Sequence, residues 1–411
     1  MKRPSGIEMT SKHRKNPGPC KEGPRAAGTF FIIGPAHHHL YYLVPLIRAT
    51  SKKELCVIGG NEKYIKILKT DFPDINLVTF ESDDPKMIGY FNSYKYIFHS
   101  NAYVLFEKFI RPRLSPGKVL VNVQHFSPIK FVDDVPYILS NFMWDVTVAA
   151  GRKDIDLLER HGLVKLNKED YSNSMKLNIN GRPVQVILGG NLRVKDYLTH
   201  RIARETVFSH LPKLNPANKT ILYMPTFSFN VDHSKSNYCS IPFFAELLKK
   251  MKAPQNYNFI FKLHPNLVYE QKKIETLLLA AQSRSIAFHL DFFGADYLSY
   301  MEIADILISD RTSAAIDFFY FTKPVLFLDH NNECPPNIAF DDITNSYWSY
   351  QFGPVLSHRN INDTDNLIMG NLTADTYVEK RKQCLEYMFT DDLSITDIFE
   401  EIEGLNPSTS P

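Results

Sequence analysis

Cysteine is scarce in this chain. There are five (Cys20, Cys56, Cys239, Cys334 and Cys384), and no two form a C-x-x-C pair. The odd count and wide spacing argue against a disulfide framework and against a zinc site. They fit a reducing compartment, which points to the cytoplasm. Long apolar runs are missing too. None reaches the ~20 residues that a membrane-spanning helix needs. The segment from Met1 to about Ala27 is basic and rich in proline, glycine and lysine. It lacks the apolar core of a secretory signal. Two readings of it stand: a solvated disordered tail, or a basic arm that touches anionic lipid headgroups. Excess charge of one sign is absent, since 47 Lys and Arg face 45 Asp and Glu, a net of +2. Nucleic acid is therefore not expected as a partner. No Walker A loop, G-x-G-x-x-G turn, H-E-x-x-H helix or solenoid repeat is found.

Ordinary globular material is present. Hydrophobic residues make up 44% and charged residues 22% of 411. That length allows two or three domains of roughly 100–200 residues each. Short apolar runs alternate with helical segments. In the first half the strand-like runs are 29–33, 55–58, 75–80, 96–98, 119–123 and 146–149. In the second they are 220–224, 258–263, 306–308 and 324–328. Such alternation predicts an α/β fold of two doubly wound, Rossmann-like domains facing a central cleft. The expected division is a basic tail at 1–28, an acceptor-side domain at 29–205, a nucleotide-donor domain at 206–390 and a second tail at 391–411. A last helical stretch, 373–388, is expected to pack back on the first domain. Ligands of such sheets bind at the carboxyl ends of the strands, so residues just after strands are the candidates.

The turn Ser309-Asp310-Arg311-Thr312-Ser313 comes first. It follows a buried strand and leads into a helix at Ala314-Ala315. Free N–H groups at a helix start, with small hydroxyl residues, suit a phosphate. The same Thr312 or Ser313 also reads as an ordinary helix cap. Lys262 and His264, two apart at a strand end, would point the same way toward that phosphate. Thr226, after the strand Thr220–Met224, is a further donor contact. In the first half, His125 follows the strand Val119–Val123 and is suited to take a proton from an acceptor hydroxyl. Ser127 and Lys130 lie just beyond it, and Lys130 would hold a phosphate. His38, in the loop after the first strand, and Arg193, after Gly189-Gly190, complete the acceptor-side candidates. No metal cluster is visible. A Mg²⁺ ion on Asp305, Asp310 or Asp317 stays open, and no cofactor is firmly implied.

Taken in order, these blocks resemble the CDP-glycerol:poly(glycerophosphate) glycerophosphotransferase family of teichoic-acid and capsule synthesis. The resemblance runs from His125 with Ser127-Pro128-Ile129-Lys130, through Gly190 with Arg193 and Leu222–Thr226, to Leu263-His264-Pro265 and the block Asp305 to Lys323-Pro324. It covers roughly residues 115–330. Departures are also clear. Gln124-His125-Phe126-Ser127-Pro128 stands where the family usually has Trp-His-Gly-Thr-Pro. Asp310-Arg311-Thr312-Ser313 stands for Asp-Tyr-Ser-Ser, and Gly190-Asn191-Leu192-Arg193 for Gly-Tyr-Pro-Arg.

The resemblance implies a GT-B-like transferase. An acceptor hydroxyl would attack the β-phosphate of a CDP-polyol and release CMP. His125 would be the base, His264 the pyrophosphate ligand and Ser309–Ser313 the nucleotide cradle. The implied partners are a nucleotide-activated donor and a polymer or lipid-linked acceptor, with peripheral contact at the inner face of the membrane. Other GT-B glycosyltransferases, a UDP-sugar epimerase and a non-catalytic nucleotide-sugar-binding module are the rival readings.

Overall fold

The computed structural model describes residues 28–33, 37–100, 110–124, 132–166, 171–227, 239–292, 297–390 and 393–404, without the side chains of 37–39 and 63. Eight strands form the first sheet: β1 (Gly28–Ile33), β2 (Glu54–Ile58), β3 (Asn76–Phe80), β4 (Tyr96–His99), β5 (Val119–Val123), β6 (Val146–Ala149), β7 (Ser174–Ile179) and β8 (Arg182–Leu188). Six form the second: β9 (Lys219–Met224), β10 (Tyr257–Lys262), β11 (Ala287–Asp291), β12 (Ile306–Ser309), β13 (Val325–Asp329) and β14 (Val355–Ser357).

The first sheet runs β3-β2-β1-β4-β5-β6-β8-β7, and the second β11-β10-β9-β12-β13-β14. Every pairing is parallel except the β7–β8 hairpin at the edge of the first sheet. The inner strands are buried along their whole length, as in Val119–Val123 and Ile306–Ser309. That explains why they read as continuous apolar runs, since helices cover both faces. The expected architecture of two doubly wound α/β sheets is therefore the one observed.

Strand order fixes where a ligand can sit. Chain order reverses between β1 and β4 in the first sheet, and between β9 and β12 in the second. Loops leave such a reversal point in opposite directions and open a crevice at the carboxyl ends of the two strands. The turn after β12 and the loop after β9 both lie at the reversal point of the second sheet.

Several details differ from the sequence reading. The β7–β8 hairpin was not expected. Its tight turn uses Asn180 and Gly181, both at positive φ, and β7 buries every second residue, Met175, Leu177 and Ile179. His37, His38 and His39 do not lie in a loop but open the helix His37–Arg48. The stretch 373–388 is helical from Val378 to Met388, and Thr373 ends a separate helix, Thr364–Thr373. Finally, 391–411 is not simply a tail, because residues Ile395–Glu403 form a helix. Its start is a capping box: Asp397 N–H donates to Ser394 Oγ (3.1 Å) and Ser394 N–H to Asp397 Oδ2 (2.7 Å). Ile398, Phe399 and Ile402 then fall on one face and bury against the first sheet's core, with Phe399 edge-on to Phe98. The chain thus ends by returning to the sheet it began with.

That return passes a tight spot. Thr390 N–H donates to the Ala150 carbonyl (3.1 Å), and the next residue, Gly151, faces the Met388 carbonyl. A Cβ on Gly151 would lie 2.8 Å from the Met388 carbonyl carbon, a backbone atom that cannot swing away. Gly151→Ala should therefore destabilise the fold by about 2 kcal/mol through overpacking, read as a lower urea midpoint at unchanged slope.

Candidate active site

Asp310 organises the carboxyl end of the second sheet. Its Oδ1 accepts the Thr226 N–H (2.7 Å), and its Oδ2 accepts the N–H (3.1 Å) and the hydroxyl (2.8 Å) of Ser240. Because the Ser240 hydroxyl donates to Asp310, Tyr223 Oη–H (2.8 Å) donates to Ser240. Ser309 Oγ–H donates to the Met224 carbonyl (2.6 Å). All four side chains are fully or almost fully buried. Ser309 and Asp310, expected as ligands, use these side-chain oxygens to join the end of β12 to Met224, Thr226 and Ser240. What they do is hold Thr226 and the following turn in place. Thr226, likewise fully buried, belongs to that brace through its N–H.

Arg311 is turned inward as well. Its Nη1 donates to Ser346 Oγ (2.9 Å), and its guanidinium lies 4.3 Å from the Tyr347 ring centroid. It clamps the turn to the segment after β13 and is 5% exposed. Thr312 and Ser313 differ. Both are half-buried, and among the described residues no hydrogen bond involves either hydroxyl; Ser313 does not cap its helix.

Lys262 ends β10 in a nearly closed environment. Its Nζ donates to the carbonyls of Phe292 (3.2 Å) and Leu263 (3.4 Å) and lies 3.9 Å from Asp291. Burial pulls its pKa down, opposed by Asp291. His264 does not point along with it. The chain turns after β10, and His264 caps the short helix Pro265–Tyr269, with Nδ1 accepting the Asn266 N–H (3.2 Å). In the neutral ring the proton then resides on Nε2. Phe227, from the loop after β9, packs on the imidazole at 4.2 Å between centroids. His264, Phe227 and the Asp310 turn therefore surround one crevice.

Arg193, an acceptor-side candidate, is 6% exposed and lies between the sheets. Its guanidinium sits 3.5 Å from the Tyr297 centroid, with Tyr41 and Tyr42 at 5.0 and 5.5 Å. Gly190, at φ +71°, makes the turn that starts its helix, Leu192–Thr199. His125, Ser127 and Lys130 lie outside the described residues, as does the side chain of His38. Gln124, just before His125, is buried and bound to Asp154 and the Ala150 N–H.

The three carboxylates considered for Mg²⁺ are engaged separately. Asp305 holds Lys219 and the Thr220 N–H, Asp310 the β9 loop, and Asp317 the pair Asn191 and Tyr297. The conspicuous Lys323-Pro324 has a structural explanation. The Lys323 ammonium donates to the carbonyls of Met301 (3.1 Å) and Glu302 (2.5 Å) at the end of the helix Tyr297–Ile303, where the helix dipole favours a cation.

Sequence reading missed an acidic pair across the cleft. Asp291 ends β11, and Asp71 ends the helix Glu62–Asp71 of the first half. Burial and Asp291 push the Asp71 carboxyl up to about 6, against the pull of Lys262. Periodicity gives no hint of it, because the two residues meet only through the packing of the halves.

These features define a class: two doubly wound α/β sheets, each with a reversal of strand order, the GT-B arrangement. The model of the CDP-Glycerol:Poly(glycerophosphate) glycerophosphotransferase family matches residues 91–390, and the chain belongs to that family. A teichoic acid poly(ribitol-phosphate) polymerase of Bacillus spizizenii is 23% identical over 196 residues, 46% of this chain and 28% of the relative, so the match spans less than a third of that protein. Among solved structures, the wall teichoic acid polymerase TagF soaked with CDPG superposes with a TM-score of 0.59 at 13% identity, covering 92% of this chain and 88% of that one. Anabaena Alr3699/HepE in complex with UDP-glucose gives 0.51 at 12% identity, covering 92% and 98%. Both share the fold.

Two stability measurements test this site. Asp310→Ala strands two buried N–H groups and a hydroxyl, so it should cost about 3 kcal/mol in chemical denaturation. For Asp71, the folded pKa lies above the ordinary carboxyl value of 3.8. The native state then holds its proton more tightly, and this residue's contribution weakens as pH rises from about 4 to about 6. Asp71→Asn should raise the melting temperature at pH 7.5 and leave it nearly unchanged at pH 4.

Proposed function

We propose that the chain transfers a polyol phosphate from a CDP-activated donor to an acceptor hydroxyl in the synthesis of a cell-surface polymer. The observation that carries this reading is the pair of half-buried hydroxyls, Thr312 and Ser313, at the strand-reversal crevice of a chain that belongs to the glycerophosphotransferase family. Preorganised donors around a transferring phosphoryl group are what such a reaction needs most.

In this reading the donor pyrophosphate lies against Thr312, Ser313 and His264, with Lys262 supplying positive charge from beneath. The acceptor oxygen attacks the β-phosphorus, forming the new P–O bond as the bond to the bridging oxygen breaks. CMP leaves with the electron pair. His125 takes the acceptor proton. Ser309, Asp310 and Arg311 act one step back, by fixing the turn. The acceptor is a polymer or lipid-linked chain end, which places the work at a membrane surface. No helix among the described residues is long and apolar enough to cross a membrane.

A thermal-shift panel of CMP, CDP, UDP and GDP tests the donor class. Stabilisation by the cytidine nucleotides alone is expected; a uridine preference would redirect the reading to a sugar nucleotide, and a flat panel would sink it. With CDP-glycerol as donor, Thr312→Val/Ser313→Ala and His264→Ala should each lower CMP release at least a hundredfold at little cost in melting temperature. Turnover that survives His125→Ala and His264→Ala would overturn the mechanism.

A further inference from the structure

The helix Ala314–Phe319, which continues the turn, carries a second function one helical turn on. Asp317 lies four residues after Ser313 and is 4% exposed. Its carboxylate accepts a hydrogen bond from Asn191 Nδ2 (2.6 Å) and one from Tyr297 Oη (2.5 Å). Asn191 belongs to the first half of the chain, as the residue that caps the helix Leu192–Thr199 through its own Oδ1. Arg193, two residues on, stacks on Tyr297. Two links therefore cross between the sheets here, an amide–carboxylate hydrogen bond and a guanidinium–ring contact. Tyr297 and Asp317, from the second half, meet Asn191 and Arg193, from the first.

The charges around Asp317 identify this as a closed contact. Arg193 comes from its own helix neighbour, and the faces packed against the carboxylate contribute Tyr42 of the helix His37–Arg48, Tyr297, and Lys262 beyond Arg193. Burial raises the Asp317 carboxyl, while Arg193, Tyr297 and Asn191 oppose that rise. A buried carboxylate with two directed donors and a guanidinium alongside is stable in one geometry only. Losing one partner leaves the others desolvated and unpaired.

We infer that Asp317 is a positioning residue: through Asn191 and Tyr297 it latches the two sheets, so that the turn bearing Thr312 and Ser313 faces the strand ends of the first sheet at a fixed distance. Its catalytic consequence rests on the transferase reading above, but the latch itself does not. The helical turn that begins at Ser313 also grips the acceptor-side half, so donor placement and cleft closure depend on one rigid element. A fixed separation matters because a misplacement of about 1 Å between reacting groups can cost a hundredfold in rate.

Two measurements on the full chain separate the claims. The first is the distance between spin labels at Lys66→Cys and Lys272→Cys, both exposed and on opposite halves, in a background carrying Cys20→Ser and Cys334→Ser. The unlatched forms Asp317→Asn, Asn191→Ala and Tyr297→Phe should broaden the distribution and shift it to longer distances. Asp305→Asn, which loosens the opposite end of β12, should leave it narrow. The second is CMP release from CDP-glycerol. Asp317→Asn and Asn191→Ala should each lower kcat ten- to a hundredfold with donor KM within threefold, and the double variant should fall no further than the worse single one. If Asp317→Asn does not fold, Asn191→Ala and Tyr297→Phe carry both tests. Unchanged distances in these variants, or equal broadening by Asp305→Asn, would overturn the latch. Wild-type protein that releases no CMP while the distances respond as expected would sink the transferase reading and leave the latch standing.

Discussion

The carboxylate of Asp310 is the interaction on which the second half of the molecule depends. A parallel sheet leaves its strand-end loops without backbone partners, and where strand order reverses two such loops diverge and open a crevice. Here that crevice would have nothing to fix its shape without a buried acceptor between the loops. Asp310 supplies it, taking the Thr226 N–H from one side and both donors of Ser240 from another. Ser309 repeats the tie one residue earlier through the Met224 carbonyl. A charged acceptor inside protein makes stronger hydrogen bonds than a neutral one, and it costs heavily if left unmatched. The turn is consequently held in one conformation, with Thr312 and Ser313 at its open end.

The same helix then reaches the other sheet. Asp310 shapes the turn, Thr312 and Ser313 face the crevice, and Asp317 binds Asn191 and Tyr297 across the gap. Eight residues, Asp310 to Asp317, join these three tasks. Arg311, at a position where the family usually has tyrosine, packs on Tyr347 and donates to Ser346, tightening the turn from behind. The C-terminal helix adds to the connection between halves by returning to the first sheet past Gly151 and Ala150.

Membership of the glycerophosphotransferase family rests on the match to residues 91–390. The structural relatives at 12–13% identity establish the fold, and one is described with CDPG and the other with UDP-glucose. Where strand order reverses, loops diverge at the carboxyl ends of the strands, and Phe227 and His264 pack together at that end of the second sheet.

Much was legible in the sequence because it follows from local chemistry. The ten strand-like runs match ten of the fourteen strands, since strands buried on both faces must be apolar throughout. The donor turn was visible as a polar break between an apolar strand and small residues that start a helix. The β7–β8 hairpin and the helix Ile395–Glu403 were not. Both carry a regular apolar pattern, Met175, Leu177 and Ile179 in β7 and Ile398, Phe399 and Ile402 in the helix, over segments too short to stand out from the polar residues around them. Roles within the site were less readable than its location. Ser309, Asp310 and Arg311 have ligand-like side chains, and nothing in their order says which way each points. Direction depends on partners 84 and 70 residues away for Asp310, and 126 away for Asp317. The sequence by itself determined the two α/β halves and the place of the crevice, because periodicity and turn chemistry act over a few residues. Only the tertiary structure decided which polar groups face the crevice and which are consumed in holding it, because buried donors and acceptors pair through space.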